Sequence, residues 1–487
     1  MEAENQLIAQ RLEKLKALYE KGINPYPYKF EQKNHAIEIL EKFKKLKKEE
    51  HTQSKVAVAG RIMTLRPMGK AGFLHIQDDS GQIQAYVRED KIGKDNYEIF
   101  RKLDLGDIIG VNGKVFRTKM GEITVEAANI ELLCKSLRPL PEKWHGLKDI
   151  EARYRQRYLD LIVNPEVKNV FIKRFKIINS LRNSLNEKGY IEVDTPVLQP
   201  MYGGANARPF KSHLHDLKME VYLRISNELY LKRLLVGGFE KVYEIARDFR
   251  NESIDSTHNP EFSMIEIYQA YSDYKDIMEL TQEIILKALK NIQKGTKVNY
   301  RGSEIDFKLP WEKMTMKDAV KKYGKIDVDR LSKTEFLKLK EKYKLDVDDH
   351  ASKGLWTQAL FEELVEPNLI QPTFIIEHPK ETTPLCKVSK NDKELIERVE
   401  LFIGGMEMAN GYSELNDPLK QKELLEEQAG KLRKGDEDAH PMDEDFIKTL
   451  EHGMPPTGGV GIGIDRLVML LTGSESIKDV ILFPFMK

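Results

Sequence analysis

Residues 242–271 combine residue types that could bind a nucleotide. They form two strand-like runs joined by a polar loop. Side chains alternate along a strand, so Arg250 continues the face that carries Glu244 and Asp248. The outgoing run puts three useful side chains on one face: Phe262, Glu266 and Tyr268. The arginine fork suits a phosphate, and a flat aromatic ring can stack on a base.

A second stretch, residues 455–473, carries three glycines at alternate positions of a strand: Gly459, Gly461 and Gly463. A strand without side chains on one face leaves room for a flat ligand. Asp465 could cap the helix that follows. Arg466 lies in the first turn of that helix, where a cation opposes the helix dipole. An anionic ligand would explain this placement.

A third stretch, residues 397–418, is rich in oxygen ligands. Three side chains at alternate positions share one strand face: Asn410, Tyr412 and Glu414. Glu400 and Glu407 flank a Gly-Gly turn and could meet across it, and two carboxylates suit Mg²⁺. Strict alternation puts Glu407 opposite Asn410, so a bulge or twist is needed for both to serve one site.

Each stretch also has a simpler structural explanation. The first could be a hairpin with a surface ion pair between Arg250 and Glu252. The glycines could merely let a helix pack closely, and Glu400 and Glu407 could be solvated. The sequence has no Gly-x-x-x-x-Gly-Lys-[Ser/Thr] phosphate loop and no His/Cys cluster with zinc spacing. Taken singly, the residues leave these explanations open.

Composition limits the class of protein. The chain has 487 residues, with 78 Lys and Arg against 78 Asp and Glu. This length predicts about two to four domains. Zero net charge argues against a histone-like binder but not against local basic patches. No apolar run approaches the roughly 20 residues that span a membrane, and the polar first ten residues predict no secretory signal. Two distant cysteines exclude a disulfide framework and favour a cytoplasmic location.

The patterns predict an α+β protein with four parts. Residues 55–140 show three strand-like runs, a short helix and two further runs, which is the plan of an OB-fold, a small β-barrel that often binds single-stranded nucleic acid. The other parts are a helical extension at 1–54, a linker at 141–164, and a large domain at 165–487 with a mainly helical insertion at about 300–370. The lysine-rich segment 36–50, interpreted as a helix, is either a solvated face or a contact to phosphates.

Taken in order, these segments resemble the motifs of class II aminoacyl-tRNA synthetases. The segment GYIEVDTPVLQP, whose strand ends at Pro196, resembles motif 1. The strings that follow the barrel occur in an order similar to that of lysyl-tRNA synthetases: RYRQRYLDL, GGANARPF, NELYLKRL, FRNE, HNPEF, NGYSELNDP and GIGIDR. The resemblance covers nearly the whole chain. It implies an OB-fold that binds the anticodon, a catalytic domain with an antiparallel sheet flanked by helices, and a homodimer. The implied substrates are ATP, L-lysine and tRNA(Lys), with Mg²⁺ as the metal.

The resemblance also implies roles for individual residues. The catalytic arginines would be Arg250 and Arg466. The ATP site would consist of Arg250, Glu252, His258, Phe262, Gly463 and Arg466. The lysine pocket would consist of Gly204, Glu228, Glu266, Tyr268, Asn410, Tyr412 and Glu414. Mg²⁺ would be held by Glu400 and Glu407, and the anticodon would be bound by Phe73, Gln84 and Glu122. The chain departs from the usual sequence of the motif 2 loop at Ser253, where glycine is common, and at Thr257, which lacks the positive charge of some relatives.

Charge favours lysine as the amino acid. Glu228, Glu266 and Glu414 would be an excess of buried carboxylates, which is costly unless a cation completes the site. Glu414 with Tyr268 would take the side-chain ammonium, and Glu228 the α-amino group. An aspartyl or asparaginyl synthetase would need a basic pocket. A protein-lysine ligase generally lacks the barrel, and a non-catalytic tRNA binder would be expected to have lost Arg250, Arg466 or Glu407.

Overall fold

The structure is a computed structural model that describes residues 2–141, 147, 149–432 and 441–487. The chain divides into two compact units, Met1–Lys148 and Asp149–Lys487. Each unit has its own cluster of buried apolar side chains. Among the described helices, none combines the length and apolar character that crossing a membrane requires.

The first unit is built around a closed five-stranded barrel with the strand order β1-β2-β3-β5-β4. Its described elements, in chain order, are α1 (Glu2–Glu20), α2 (Ala36–Lys42), β1 (His51–Met68), β2 (Ala71–Gln77), β3 (Gln82–Arg88), α3 (Glu89–Ile92), α4 (Lys94–Lys102), β4 (Ile108–Arg117) and β5 (Ile123–Cys134). Burial alternates strictly along β2 and β3, so one face of each strand fills the barrel and the other faces outward. This confirms the predicted OB-fold.

The N-terminal segment packs on the barrel. Leu18, Ala36 and Ile39 belong to the same apolar cluster as the barrel strands. The first strand begins at His51, so the predicted boundary between residues 54 and 55 falls inside a strand.

The lysine-rich segment is helical over only part of its predicted length. The helix α2 ends at Lys42, whereas the sequence predicted helix to residue 50. Beyond it, the Arg117 guanidinium donates to the carbonyl oxygens of Lys44 and Leu46 at 3.3 and 2.6 Å. These carbonyls are therefore satisfied by a side chain of β4 rather than by a continued helix.

The second unit is larger and combines one main sheet with many helices. Its described elements up to the middle of the unit are α5 (Ile150–Arg155), α6 (Arg157–Val163), α7 (Pro165–Glu187), β6 (Ile191–Glu192), β7 (Leu198–Gln199), β8 (Lys211–Leu214), β9 (Met219–Leu223), α8 (Glu228–Val236), β10 (Lys241–Phe249), β11 (Glu261–Ala270), α9 (Tyr274–Ile292), β12 (Lys297–Tyr300), β13 (Ser303–Asp306) and β14 (Glu312–Thr315). The remaining described elements are α10 (Met316–Ala319), α11 (Lys333–Tyr343), α12 (Lys353–Leu364), β15 (Thr373–Pro379), β16 (Leu395–Ile403), β17 (Met406–Ser413), α13 (Pro418–Leu432), α14 (Glu444–Glu451), β18 (Thr457–Gly463), α15 (Ile464–Thr472) and α16 (Ile477–Val480).

The main sheet has eight strands in the order β14-β15-β16-β17-β18-β11-β10-β6. The six central strands, β15 to β10 in this order, are antiparallel to one another. The two edge strands are parallel to their neighbours: β14 to β15, and β6 to β10. Apolar side chains of α7, α9 and α15 form one core with those of the sheet. This confirms the predicted antiparallel sheet flanked by helices and leaves the opposite face of the central strands for a site.

The predicted linker is too long at its carboxyl end. Residues 142–146 and 148 lie outside the described residues, but α5 and α6 belong to the second unit. The Arg157 side chain is fully buried and donates to the Asp160 carboxylate at 2.7 Å. It also donates to the carbonyl oxygens of Lys478 and Leu482 at 2.7 and 3.1 Å. A buried charge with this many partners is a fixed part of the unit.

The predicted helical insertion starts among strands. Residues 297–315 form β12, β13 and β14, and the helices follow between Met316 and Leu364. These helices enclose a separate apolar cluster, in which the rings of Phe336 and Trp356 stack with centroids 4.4 Å apart.

Candidate active site

The glycine strand β18 forms the floor of a cavity in the second unit. Across the sheet, Gly459 lies between Tyr268 and Tyr412, and Gly461 lies between Glu266 and Asn410. Neighbouring positions on adjacent strands point to the same face, so four polar side chains flank a strip without side chains. The predicted alternation on β11 and β17 therefore describes the observed face.

The glycines make room for the cavity's own side chains. A Cβ at Gly459 would lie 2.3 Å from Glu414 Oε1 and 2.4 Å from Tyr268 Cε1. At Gly461 it would lie 2.9 Å from Glu266 Oε1. The sequence predicted room for a flat ligand, whereas at these two positions the space is taken by side chains that lean in from the neighbouring strands. Asp465 also differs from expectation. It does not cap α15 but accepts from the Ser263 N–H and the Arg174 guanidinium, at 2.6 and 2.5 Å.

A bulge in β17 brings Glu407 and Asn410 to the same face of the sheet, which strict alternation along the strand would not do. Leu401 pairs with Ala409, but Phe402 pairs with Glu407, so Met408 is the extra residue. The extra residue moves Glu407 to the face of Asn410, and both side chains line the cavity. The predicted bulge is confirmed.

The cavity collects nearly all the residues singled out for ATP and lysine. Its lining includes Gly204, Glu228, Arg250, Glu252, His258, Phe262, Glu266, Tyr268, Glu407, Asn410, Tyr412, Glu414, Gly463 and Arg466. Glu400 is not in the lining. Gly204 has a φ of +87°, and a Cβ there would lie 2.9 Å from Ser226 Oγ, so a glycine is required where this loop passes Glu228.

One end of the cavity carries three buried carboxylates, Glu228, Glu266 and Glu414. Burial first, and then the Glu228 charge, raise the pKa of Glu266 well above its usual value. Burial also raises the pKa of Glu414 to about 8, although Lys232 acts in the opposite direction. The Tyr268 hydroxyl donates to Glu266 Oε2 at 3.1 Å. A cationic ligand at this end would stabilise the ionised forms of these carboxylates, so the site favours such a ligand.

Lys232 lies behind these carboxylates. Its Nζ is 2.6 Å from Glu228 Oε1 and 2.5 Å from Glu414 Oε2. The contact to Glu228 is a hydrogen bond, whereas neither oxygen of Glu414 accepts a well-directed hydrogen bond within the described residues. Burial alone would lower the pKa of Lys232, but the two carboxylates raise it above its ordinary value.

A second buried network fixes the wall beside Glu266. Glu244 accepts from Arg224 at 2.6 Å, from Asn227 at 2.9 Å and from the Thr195 hydroxyl at 2.7 Å. Arg224 Nε also lies 3.2 Å from Asp248, and burial raises the pKa of this carboxyl to about 6. The strand face that the sequence assigned to chemistry is therefore partly structural.

The other end of the cavity is basic and aromatic. The Arg250 guanidinium lies 5.0 Å from the centroid of the Phe262 ring. Arg466 donates to the Glu407 carbonyl at 2.9 Å, and its other terminal nitrogen lies 3.0 Å from His258 Nε2. Within the described contacts Arg250 and Glu252 form no ion pair, so the simpler hairpin explanation loses its support. Two arginines beside a half-buried ring that lines the cavity suit a nucleotide.

The loop between β10 and β11 holds His258 in a defined orientation. His258 Nδ1 lies 2.8 Å from Asp255 Oδ2. Since Arg466 is a donor only, Nε2 accepts and Nδ1–H donates to the carboxylate. Burial raises the pKa of Asp255, but hydrogen bonds from Thr257 and His258 outweigh it and lower the pKa to about 2.

Carboxylates near the turn after β16 form an acidic group. Burial raises the pKa of Glu407, and Glu400 raises it further. Glu366, which sequence reasoning missed, has its pKa raised to about 7 by burial and by Glu407 and Glu400. Glu400 itself is ion-paired with Arg398. These hard oxygen donors, crowded enough to disfavour one another's charge, fit a divalent cation.

Arg398 is a further cavity residue that sequence reasoning missed. It lines the cavity, its side chain is 12% exposed, and it donates to Asn410 Oδ1 at 3.1 Å. The signal was available, since Arg398 stands two residues before Glu400 on one strand face. Lys232 had a weaker signal, its spacing of four residues from Glu228 on a helix.

The outer face of the barrel carries the residues singled out for the anticodon. Phe73 stacks on Tyr86 with ring centroids 4.4 Å apart. Gln84 donates to Glu122 at 2.7 Å, and His75 Nε2 lies 2.7 Å from the same carboxylate. Tyr86 and His75 were missed, although strand alternation puts them beside Gln84 and Phe73. An aromatic platform next to amide and carboxylate groups suits an unpaired base.

Comparisons with known proteins match both units. The family described as tRNA synthetases class II (D, K and N) matches residues 149–487, and an OB-fold nucleic acid binding domain matches residues 56–133. A lysine–tRNA ligase of Pelotomaculum thermopropionicum is 55% identical over 99% of this chain and 95% of its own length. That of Moorella thermoacetica is 52% identical over 100% and 99%. That of Carboxydothermus hydrogenoformans is 53% identical over 99% and 98%.

The close approach at Gly459 gives a prediction for stability. Gly459→Ala inserts a methyl group against Glu414 and Tyr268, and overpacking of this kind costs about 1–3 kcal/mol of unfolding free energy. Urea unfolding measures the change. Gly430→Ala is the matched control, because nothing lies within 4 Å of its Cβ in α13, and it should stabilise by about 0.5–1 kcal/mol. Equal stabilities for the two variants would contradict the packing described here.

Proposed function

The chain belongs to the lysine–tRNA ligases of the class II tRNA synthetases, and from this premise we propose which of its side chains bind lysine, ATP and tRNA. The proposal places both reaction steps, activation of L-lysine with ATP and its transfer to tRNA(Lys), in the cavity above β18. The observation that carries it is the charge of the cavity, with buried carboxylates at one end and two arginines beside an aromatic ring at the other.

The first step is an in-line displacement at the α-phosphorus of ATP. A lysine carboxylate oxygen forms a bond to this phosphorus, the bond to the bridging oxygen of the β-phosphate breaks, and pyrophosphate leaves. In the second step the terminal adenosine hydroxyl of the tRNA attacks the lysyl-adenylate carbonyl. AMP leaves, and the hydroxyl proton departs with it or passes to solvent. No nucleophilic side chain is needed, so catalysis consists of positioning and charge stabilisation.

The basic end of the cavity would bind ATP. Arg250 would hold the α-phosphate together with the lysine carboxylate, and its place between Ile225 and Phe262 supports this role. Phe262 and Arg466 would enclose the adenine, while His258 would reach the phosphates. Glu252 and Gly463 would complete the site. Positive charge aimed at the phosphates stabilises the charge that builds there during displacement.

The acidic end would bind lysine. Glu414 with Tyr268 would take the side-chain ammonium, and Glu228 the α-ammonium. The wall would be completed by Gly204, Glu266, Asn410 and Tyr412. Such a site can reject analogues that lack the ammonium by roughly 10⁴–10⁵, because its buried carboxylates would stay unpaired.

Glu407 and Glu400 would hold Mg²⁺, with Glu366 close enough to add to the negative charge. The ion would neutralise charge on the triphosphate. The contribution of this chain is a crowded set of oxygen ligands. Burial raises the pKa of Glu400, and its ion pair with Arg398 acts in the opposite direction.

We extend the proposal to the barrel and to assembly. Phe73 would stack on an anticodon base, while Gln84 and Glu122 would read base edges. A homodimer is supported by exposed apolar side chains along the segment that resembles motif 1 and along α7: Ile191, Val197, Leu198, Ile172 and Phe175. The two cysteines are free, which agrees with a reducing cytoplasm as the location.

Glu414→Gln tests the amino-acid site. The amide keeps the shape but removes the charge that pairs with the substrate ammonium, so the KM for lysine should rise by about 100-fold or more. The KM for ATP should stay within experimental error. Both are measured by exchange of labelled pyrophosphate into ATP without tRNA. Equal increases in the two constants would contradict the assignment.

Phe73→Ala tests the barrel site. If a base stacks on this ring, the change should weaken tRNA binding by about 1–3 kcal/mol. Pyrophosphate exchange with lysine should be unaffected, because activation takes place in the other unit. Tyr28→Ala, which removes a fully exposed ring of the same unit, serves as the control. Unchanged aminoacylation of tRNA by the Phe73 variant would rule out this anticodon contact.

A further inference from the structure

Lys232 is a fully buried ammonium that the proposed reaction leaves without a role. It lies on α8 one turn after Glu228, and none of its side chain is exposed. Its Nζ bridges Glu228 Oε1 and Glu414 Oε2 at 2.6 and 2.5 Å. Lys232 does not line the cavity, whereas both of its carboxylate partners do. It therefore stands behind two groups that face the substrate and does not itself meet the substrate.

The bridge leaves part of each carboxylate free for a ligand. The ion pair of Lys232 is with Oε2 of Glu414, whereas Oε1 leans over Gly459 on the cavity floor. Neither oxygen of Glu414 accepts a well-directed hydrogen bond within the described residues. A resident cation thus fixes the carboxylate from behind while its front oxygen keeps its capacity to accept a bond.

The charges at this end of the cavity can be counted. Glu228, Glu266 and Glu414 contribute three negative charges when ionised, and Lys232 contributes one positive charge. Two negative charges remain uncompensated, which equals the number of ammonium groups on one lysine molecule. The substrate carboxylate is left for Arg250 at the other end.

The remaining charged groups around these carboxylates have other partners or do not reach the cavity. Arg224, in the loop before α8, forms ion pairs with Glu244 and Asp248 of β10. On β16, Arg398 pairs with Glu400. Lys387 acts on Glu414 from the segment before β16 but does not line the cavity. Lys232 is therefore the cation that decides the balance at this end.

We propose that Lys232 is a specificity-determining positioning residue, which neutralises one of three buried carboxylates so that the pocket accepts two ammonium groups and no more. This inference rests on the proposed assignment of Glu228 and Glu414 to lysine. The pocket would select lysine by total charge as well as by shape. Amino acids with one ammonium leave a carboxylate unpaired and buried, which is strongly unfavourable.

The charge balance predicts that one substitution can partly reverse the effect of another. Glu228→Gln alone leaves one uncompensated negative charge for two ammonium groups, so the KM for lysine rises. Adding Lys232→Met removes a positive charge and restores two uncompensated carboxylates. The second substitution should therefore lower the lysine KM of the Glu228 variant by about tenfold, since one charge several ångströms away in a protein interior has at least this effect. The ATP KM should stay constant.

The control is another buried lysine with the same chemistry. Lys135 bridges Asp104 and Asp107 at 2.6 and 2.7 Å in the barrel unit, and its side chain is also fully buried. Lys135→Met in the Glu228→Gln background should leave the lysine KM unchanged. The comparison is repeated in a Glu414→Gln background, with and without Lys232→Met. This second pair of variants replaces the first if the double variant Glu228→Gln with Lys232→Met does not fold.

Pyrophosphate exchange with the full chain gives each constant, with lysine and ATP varied separately. A lower lysine KM in the double variant than in the single variant, at equal ATP KM, is the expected result. An equal or higher lysine KM in both backgrounds would overturn the proposal, because a merely structural lysine can only worsen the pocket. Wild-type exchange that does not depend on lysine would instead overturn the proposed function on which it rests.

Discussion

The pairing of buried negative charge with ammonium groups is the interaction on which the site depends. Three buried glutamates lie at one end of the cavity, and burial raises the pKa of Glu414 to about 8. Such an arrangement is costly in the unliganded protein and favourable once cations fill it. The fold supplies one cation, Lys232, from behind. In the proposed function the ammonium groups of lysine supply the remaining compensation, and the cost of the unliganded pocket becomes selectivity for lysine.

The sheet makes this arrangement possible by leaving its central strand bare. The side chains of Glu414, Tyr268 and Glu266 lean over Gly459 and Gly461, where a Cβ would collide with them. A bulge at Met408 then turns Glu407 onto the face of Asn410, so that acidic and basic groups share one cavity. The helices on the other face pack against the sheet, and α15 also contributes Arg466 to the cavity.

Strand alternation and turn residues predicted much of this from the sequence. The barrel, the shared face of Glu266 and Tyr268 and the need for a bulge follow from a period of two, which is a local property. The antiparallel sheet of the second unit was implied by the family resemblance. What could not be predicted depends on contacts between distant segments. Lys232 and Glu414 are far apart in the chain, and the acidic side chain of Glu366 comes from a different segment than Glu407. The helix predicted to residue 50 ends at Lys42, and the carbonyl oxygens of Lys44 and Leu46 accept hydrogen bonds from Arg117 of β4. This contact joins segments that are distant in the sequence.

Calorimetry of lysine binding in two buffers of different ionisation enthalpy tests whether the buried carboxylates ionise when the ammonium groups of lysine bind. With a pKa of about 8, Glu414 is largely protonated at pH 7 in the unliganded pocket, and burial raises the pKa of Glu266 above its usual value. Ammonium groups stabilise the ionised form and lower these pKa values, so binding must release protons at pH 7. The affinity for lysine should accordingly rise with pH toward about 8, where Glu414 ionises unaided. We expect the measured heat of binding to change with the ionisation enthalpy of the buffer, in the direction that shows release of protons from the protein. A heat that does not depend on the buffer would contradict it.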